Sequence, residues 1–331
     1  LIELNSVTKI YEGGVRAVEN VSFTVKDGET LGLIGTSGCG KTTTLKMINR
    51  LVNSTGGFIE LDGQRIDMLN VEELRRGIGY VIQHIGLFPH YDILDNVAVV
   101  PRLLKWDEDD IYQRCRELLQ LVGLEPDAYA QRMPAELSGG QQQRVGLARA
   151  LAADPPVVLL DEPFGALDPI TREQVRKEFK KLQKQLKKTM VLVTHDVFEA
   201  FDLCDRICLM NKGRVQQIGS PKKLLFGPAN EFTRSFFDAH RFQLEMKSIT
   251  LRDTMGLLSE SVGRSEQGIT FSAGQSMLEV MEMIEGTESE VQFITITNDD
   301  SSEDRKIAVD QLLPLFYRVK KELQKKFASH G

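Results

Sequence analysis

The segment Gly35-Thr36-Ser37-Gly38-Cys39-Gly40-Lys41-Thr42 restricts this chain more than any other feature. Residues 29–34 before it read as a short apolar strand. Residues 41–51 after it carry Leu45, Ile48 and Leu51 at helical spacing, so the segment predicts a strand, a glycine-rich loop and a helix. Glycines at 35, 38 and 40 let the backbone adopt angles and approaches that side chains forbid, turning successive N–H groups inward around an anion. The start of the helix adds partial positive charge. The pattern fits G-x-x-x-x-G-K-[ST] in the context that the motif requires. Lys41 is then placed to bridge the β- and γ-phosphates of a nucleoside triphosphate. Thr42, followed by Thr43, offers a hydroxyl to Mg²⁺.

A unit of this kind belongs in a parallel sheet, and the rest of the chain supplies one. Further strands are expected at 78–82, 157–160, 190–194 and 206–210 with helices between several of them, the alternation of a mostly parallel sheet covered on both faces. Residues 1–25 alternate apolar and polar side chains about Gly13-Gly14, which predicts an N-terminal antiparallel β subdomain. Residues 89–151 read as helical almost throughout, a helical subdomain inserted between two strands. Between Val175 and Lys188, apolar Val175, Phe179, Leu182 and Leu186 recur at helical steps, with lysines on a solvated face. At 331 residues the chain is long enough for about two domains. The expected division is an α/β nucleotide-binding domain over 1–240 and a small α+β accessory domain over 241–331.

Composition removes several classes of function. The chain is 41% hydrophobic and 27% charged, as ordinary globular proteins are. Its longest apolar runs fall far short of a membrane span, and residues 1–5 show no basic-then-apolar leader. A net charge of −6 gives no overall basic footprint, so no nucleic-acid partner is expected. Cys39, Cys115, Cys204 and Cys208 lack the spacing of a zinc framework and read as reduced, small apolar residues.

Two further segments carry chemistry. Val157-Val158-Leu159-Leu160-Asp161-Glu162 is an apolar strand ending in two acids. The first can hold Mg²⁺ and the second can polarise a water. Leu137-Ser138-Gly139-Gly140-Gln141 begins a helix with a good N-cap, and its two glycines leave the amides of the first turn open to an outside anion.

Together with the phosphate loop, the Leu137–Gln141 segment resembles the signature sequence of ABC ATPases. The resemblance implies a P-loop ATPase core that binds ATP and Mg²⁺. Against that family, Tyr11 resembles the aromatic that stacks on adenine and Gln83 the glutamine that senses Mg²⁺ and water. His195 resembles the switch histidine, and Gly165-Ala166-Leu167-Asp168 the D-loop, with glycine where serine is more usual. The family assignment makes Glu162 and His195 catalytic and gives the metal to Thr42, Gln83 and Asp161. It also implies that Ser138, Gly139, Gly140, Gln141 and Asp168 act on ATP held by the partner of a head-to-tail homodimer.

Long coiled coils, which mark the DNA-repair branch, and a second cassette, usual in the translation branch, are not expected here. Transport is therefore the favoured role. Within transporters, Lys46-Met47-Ile48-Asn49-Arg50-Leu51, Ile82-Gln83-His84-Ile85-Gly86-Leu87-Phe88-Pro89-His90 and Asn96-Val97-Ala98-Val99-Val100-Pro101 resemble osmoprotectant importer ATPases, with import of another solute as the alternative. This implies transmembrane permease subunits as partners, a solute-binding protein as an indirect one, and a peripheral place on the inner face of the cell membrane. Residues 249–255, 276–281, the apolar run around Ile294 and Leu312-Leu313 resemble one degenerate CBS unit. A dimerisation or structural tail is the alternative.

Overall fold

The structure, a computed structural model, describes residues 1–83, 86–165, 167–258, 269–287, 291–297 and 304–328. His84 and Ile85 of the osmoprotectant-like segment and Ala166 of the D-loop lie outside the described residues. The chain forms two compact units, Leu1–Ile218 and Gly219–Gly331.

The first unit holds two sheets. Strands β1 (Ile2–Ile10), β2 (Arg16–Val25), β4 (Gly56–Leu61) and β5 (Gln64–Arg65) form an antiparallel sheet in the order β2-β1-β4-β5. Gly13 and Gly14, with φ of 86° and 80°, lie in the β1–β2 connection, a conformation in which a side chain would be strained. Strands β3 (Thr30–Gly35), β6 (Ile78–Val81), β7 (Val157–Asp161), β8 (Thr189–Val193), β9 (Arg206–Asn211) and β10 (Arg214–Gly219) form a second sheet, ordered β10-β9-β3-β8-β7-β6. The pairs β9/β3, β3/β8, β8/β7 and β7/β6 are all parallel. Every residue of β3, β7 and β8 is buried, which explains their unbroken apolar sequences.

A core that includes Val21, Phe23, Leu33, Leu45, Ile48, Leu159, Val191 and Met210 joins the antiparallel sheet, the helix Lys41–Ile48 and the parallel sheet. That helix is shorter than the expected 41–51. Arg50 turns to φ 46° and its amide returns to the Met47 carbonyl, which ends the helix and leaves Leu51 exposed. The inserted helices Ile93–Leu103, Glu108–Leu121, Pro126–Tyr129 and Gly139–Leu151 fall between β6 and β7. Asp92, Asp107 and Ser138 cap three of them through side-chain oxygens. Buried Val97, Ile111, Cys115, Leu118 and Val145 line their apolar faces, and all four cysteines of the chain are buried thiols.

The parallel order puts the ends of β3, β8, β7 and β6 side by side along one edge. Ligands of open α/β sheets sit beyond such strand ends. Gly35, Val193, Asp161 and Val81 are those ends here, so the loops that follow converge on one place.

The second unit is α+β. Strands β11 (Ile269–Ser272), β12 (Phe293–Thr297) and β13 (Arg305–Ala308) lie in that order, the first pair parallel and the second antiparallel. Phe271, Ile294, Ile296, Leu312 and Phe316 are fully buried in this unit. The expected boundary at 240/241 lies inside it, because Arg241 donates to the Leu225 carbonyl at 3.1 Å and the Arg234 carbonyl at 2.6 Å. Those bonds tie the helices Pro221–Phe226 and Glu231–Phe236 to the helix Arg241–Ser248.

Candidate functional site

Gly40, at φ 101°, delivers the chain into the helix that starts at Lys41. A Cβ on Gly40 would stand 2.4 Å from the Ala17 carbonyl oxygen, so the loop can pass β2 only with glycine there. Lys41 is buried and donates from Nζ to the carbonyls of Gly35 and Thr36, each at 3.0 Å. Its ammonium is thereby held within the loop at the edge of the cleft.

Thr42 lies one residue into the same helix and donates from Oγ1 to Asp161 Oδ1 at 2.9 Å. This bond joins the phosphate loop to the end of β7. Asp161 is buried, and burial raises its pKa, with the neighbouring Glu162 pushing the same way. The Thr42 hydroxyl, Lys46 and Tyr80 oppose that rise. Burial and the Asp161 charge together raise the Tyr80 phenol, which keeps it a neutral donor.

Glu162 takes φ 47°, a strained value for a residue with a side chain, while its amide donates to the Val193 carbonyl at 2.9 Å. The twist turns its carboxylate away from the sheet and toward the loops after β6 and β8. Gln83 Nε2 donates to Glu162 Oε2 at 3.1 Å, and His195 Nδ1 stands 3.3 Å from the same oxygen. His195 is largely exposed, so its imidazole borders the opening. These groups share a cleft of about 610 Å³, lined also by Ala17, Ser37, Gly38, Cys39, Gly40, Lys41, Thr42 and Thr43.

The remaining predicted residues lie outside that cleft. Tyr11 is exposed in a tight turn where its amide donates to the Val15 carbonyl, with the Lys9 ammonium 5.0 Å from its ring centre. Ser138 and Gln141 form a reciprocal cap: the Gln141 amide donates to Ser138 Oγ, and the Ser138 amide to Gln141 Oε1. Ser138 and Gly139 are exposed, whereas Gly140 is buried. Asp168 caps the helix Pro169–Leu186 through the Thr171 amide, and hydrogen bonds from the Thr171 side chain and then its amide hold the Asp168 carboxyl below the usual range. Ala17 and Tyr80, which touch or tune the site, carry no motif, and Lys46, which opposes the rise at Asp161, reads only as part of the 46–51 resemblance and not as a site residue. Their alternation or helix position looks like ordinary surface and core, and only the fold brings them here.

A phosphate-cradling loop with its lysine, a threonine bonded to a strand-end aspartate, and a glutamate bridged to a glutamine and a histidine define a P-loop ATPase. Residues 18–165 match the family model described as ABC transporter. The glycine betaine/carnitine/choline transport ATP-binding protein OpuCA of Bacillus subtilis is 48% identical over 284 residues, 86% of this chain and 72% of that protein. The glycine betaine uptake system ATP-binding protein YehX of Escherichia coli is 47% identical, over 85% of this chain and 87% of its own. Among solved structures, the dimeric post-hydrolysis state of the ATP-binding cassette MJ0796 with ADP and Pi aligns at a TM-score of 0.60. It is 37% identical, covering 66% of this chain and 98% of that one. The chain belongs to the ATP-binding subunits of ABC transporters and is an ABC-type ATPase.

Proposed function

We propose that this chain hydrolyses ATP to drive an importer of glycine betaine or a related quaternary-ammonium osmoprotectant, as a head-to-tail homodimer beneath a transmembrane permease. One observation carries the catalytic part: Lys41, Gln83, Glu162 and His195 share a cleft that Ser138 to Gln141 and Asp168 do not line. A chain so arranged has two half-sites. The exposed helix start at Ser138 and Gly139 would meet the γ-phosphate held by the partner's loop, with Gly140, Gln141 and Asp168 beside it.

In the paired state Lys41 contacts the β- and γ-phosphates, while the amides of residues 35–43 cradle them. Tyr11 stacks on adenine. Glu162 orients and deprotonates the attacking water, and His195 contacts the γ-phosphate. The oxygen donors of Thr42, Asp161 and Gln83 suit Mg²⁺, which takes few protein ligands and completes its shell with phosphate and water. When bound, Mg²⁺ supplies charge neutralisation between the β- and γ-phosphates. Catalysis by the chain's own groups is then positioning and charge stabilisation.

The solute follows from the resemblance to OpuCA and YehX, whose names carry glycine betaine, carnitine and choline. A groove of about 290 Å³ lined by Arg75, Tyr80, Gly86, Phe88, Val100 and Arg149 lies just after Gln83 and fits the docking of a permease helix. The permease would hold the chain on the inner face of the membrane; no helix among the described residues is itself long and apolar enough to cross one. Residues 241–331 would act as a single CBS-like unit or as a dimerisation tail. Two measurements test the proposal. Glu162→Gln should keep ATP binding, lose nearly all turnover and accumulate an ATP-dependent dimer; unchanged hydrolysis rejects Glu162 as the base. In proteoliposomes with the permease and binding protein, quaternary-ammonium solutes should stimulate hydrolysis. Failure of all of them rejects the solute and leaves the ATPase intact.

A further inference from the structure

Behind the cleft, the residues on either side of His195 are tied through one hydroxyl, and that hydroxyl is bonded to a carboxylate that the mechanism does not use. Thr194 is buried at the end of β8, and its hydroxyl donates to Glu199 Oε2 at 2.5 Å. The same hydroxyl accepts the Asp196 amide at 3.0 Å. One hydroxyl thus bridges the residue before His195 and the residue after it. Asp196 completes the bracket by capping the helix Val197–Leu203, its Oδ1 accepting the Phe198 amide at 2.8 Å and the Glu199 amide at 3.4 Å.

Glu199 is only 3% exposed. A buried carboxylate is costly unless its position is useful or fully compensated. It rests on the first turn of its helix, so its reach back to Thr194 is fixed by the helix itself. By accepting the Thr194 proton it orients that hydroxyl and leaves a lone pair aimed at the Asp196 amide. Without the acceptor, the hydroxyl can rotate and the turn carrying His195 loses its internal tie.

We propose that Glu199 is a positioning residue for His195, acting through the Thr194 hydroxyl to hold the imidazole at the 3.3 Å contact with Glu162. The proposal rests on the reading of His195 as a γ-phosphate contact. Glu199 does not line the cleft, so it has no direct role toward nucleotide. Its expected signature is a loss of turnover without a loss of ATP affinity, because misplacement of a reacting group costs rate more than ground-state binding.

The test is steady-state ATP hydrolysis by the purified 331-residue chain, with folding checked by circular dichroism. Glu199→Ala should lower kcat roughly tenfold while KM for ATP stays within about twofold. Glu199→Gln, which keeps a carbonyl acceptor for the hydroxyl, should recover most of the rate. Thr194→Val, nearly isosteric and lacking the hydroxyl, should reproduce the loss, and Thr194→Ser should restore it. This second pair answers the case in which Glu199→Ala does not fold. In a His195→Ala background, Glu199→Ala or Thr194→Val should cause no further drop, as groups that act as one unit are non-additive. A full additional drop there overturns the proposal while leaving His195 in its role. Unchanged kcat in His195→Ala alone overturns the reading of His195, and the proposal with it. A rise in KM at constant kcat, or a Gln variant as slow as the Ala variant, also overturns it.

Discussion

At the scale of single residues, burial works against the charge of two carboxylates at and behind the site. Asp161 and Glu199 are both enclosed carboxyls whose pKa burial has raised, but their surroundings differ. Asp161 faces Thr42, whose hydroxyl donates to it at 2.9 Å, in the place where the proposed function would put a cation. Glu199 faces Thr194, whose hydrogen bond opposes the rise together with Arg172 and Arg176, while Asp196 adds to it. The folded state therefore binds the Glu199 proton more tightly than the unfolded chain does. The contribution to stability is fully present below the unfolded value of about 4.5 and is lost as pH rises through the higher folded value. Glu199→Gln removes that dependence. Its melting temperature should gain on the parent by roughly 2–4 °C between acidic and mildly alkaline pH, measured by calorimetry at both ends. A gap that stays constant or reverses would show that the Thr194 hydrogen bond and the arginines fully compensate the charge. The convergence of Lys41, Thr42, Asp161 and Glu162 was legible because motif spacing ties them to neighbouring strand ends. Glu199 was not, since a lone glutamate four residues after a histidine looks like any helix-surface acid until the helix turns it inward.

Among the elements, the same difference between local and distant causes decides what could be read ahead. Strands β3, β7 and β8 announce themselves because enclosure on both faces demands an unbroken apolar run. Strands β4, β5 and β10 went unread. β4 begins with Gly56-Gly57 and is only partly buried, and it is a strand because β1 pairs with it across a long stretch of chain. The signature helix shows a subtler case. Both of its glycines read as openings toward an anion, yet Gly140 is buried, and a Cβ there would stand 2.5 Å from Thr171 Cγ2 on the helix Pro169–Leu186. Gly140 is thus a packing glycine and Gly139 the exposed one. Gly140→Ala should destabilise the chain by about 1–3 kcal/mol through overpacking. Adding Thr171→Ser, which deletes the obstructing methyl, should restore most of it in denaturant titrations. Equal instability in single and double variants would place the cost elsewhere.

On the scale of the whole molecule, the half-site arrangement makes a prediction that no single-chain enzyme shares. Lys41 in its cleft and Ser138 at the start of another helix are two parts of one reaction centre only if two chains meet head to tail, and a twofold pair creates two such centres. Consider Lys41→Ala, which removes the proposed phosphate contact, and Ser138→Arg, which obstructs the exposed helix start. Each variant alone forms pairs in which both centres are damaged, and each should be nearly inactive. In a mixed pair the Lys41→Ala chain still offers an intact Ser138, and the Ser138→Arg chain an intact Lys41. One centre of that pair is therefore whole, and the other carries both lesions. Random mixing makes about half of the pairs mixed, so about a quarter of the original centres return. Mixing two inactive preparations in ATP should accordingly raise hydrolysis toward one quarter of the parent rate. If Lys41 and Ser138 served the same chain's nucleotide, every centre in the mixture would keep one lesion and no activity would return. A mixture that stays silent although light scattering shows dimers would mean that the separation of Lys41 from Ser138 has another cause.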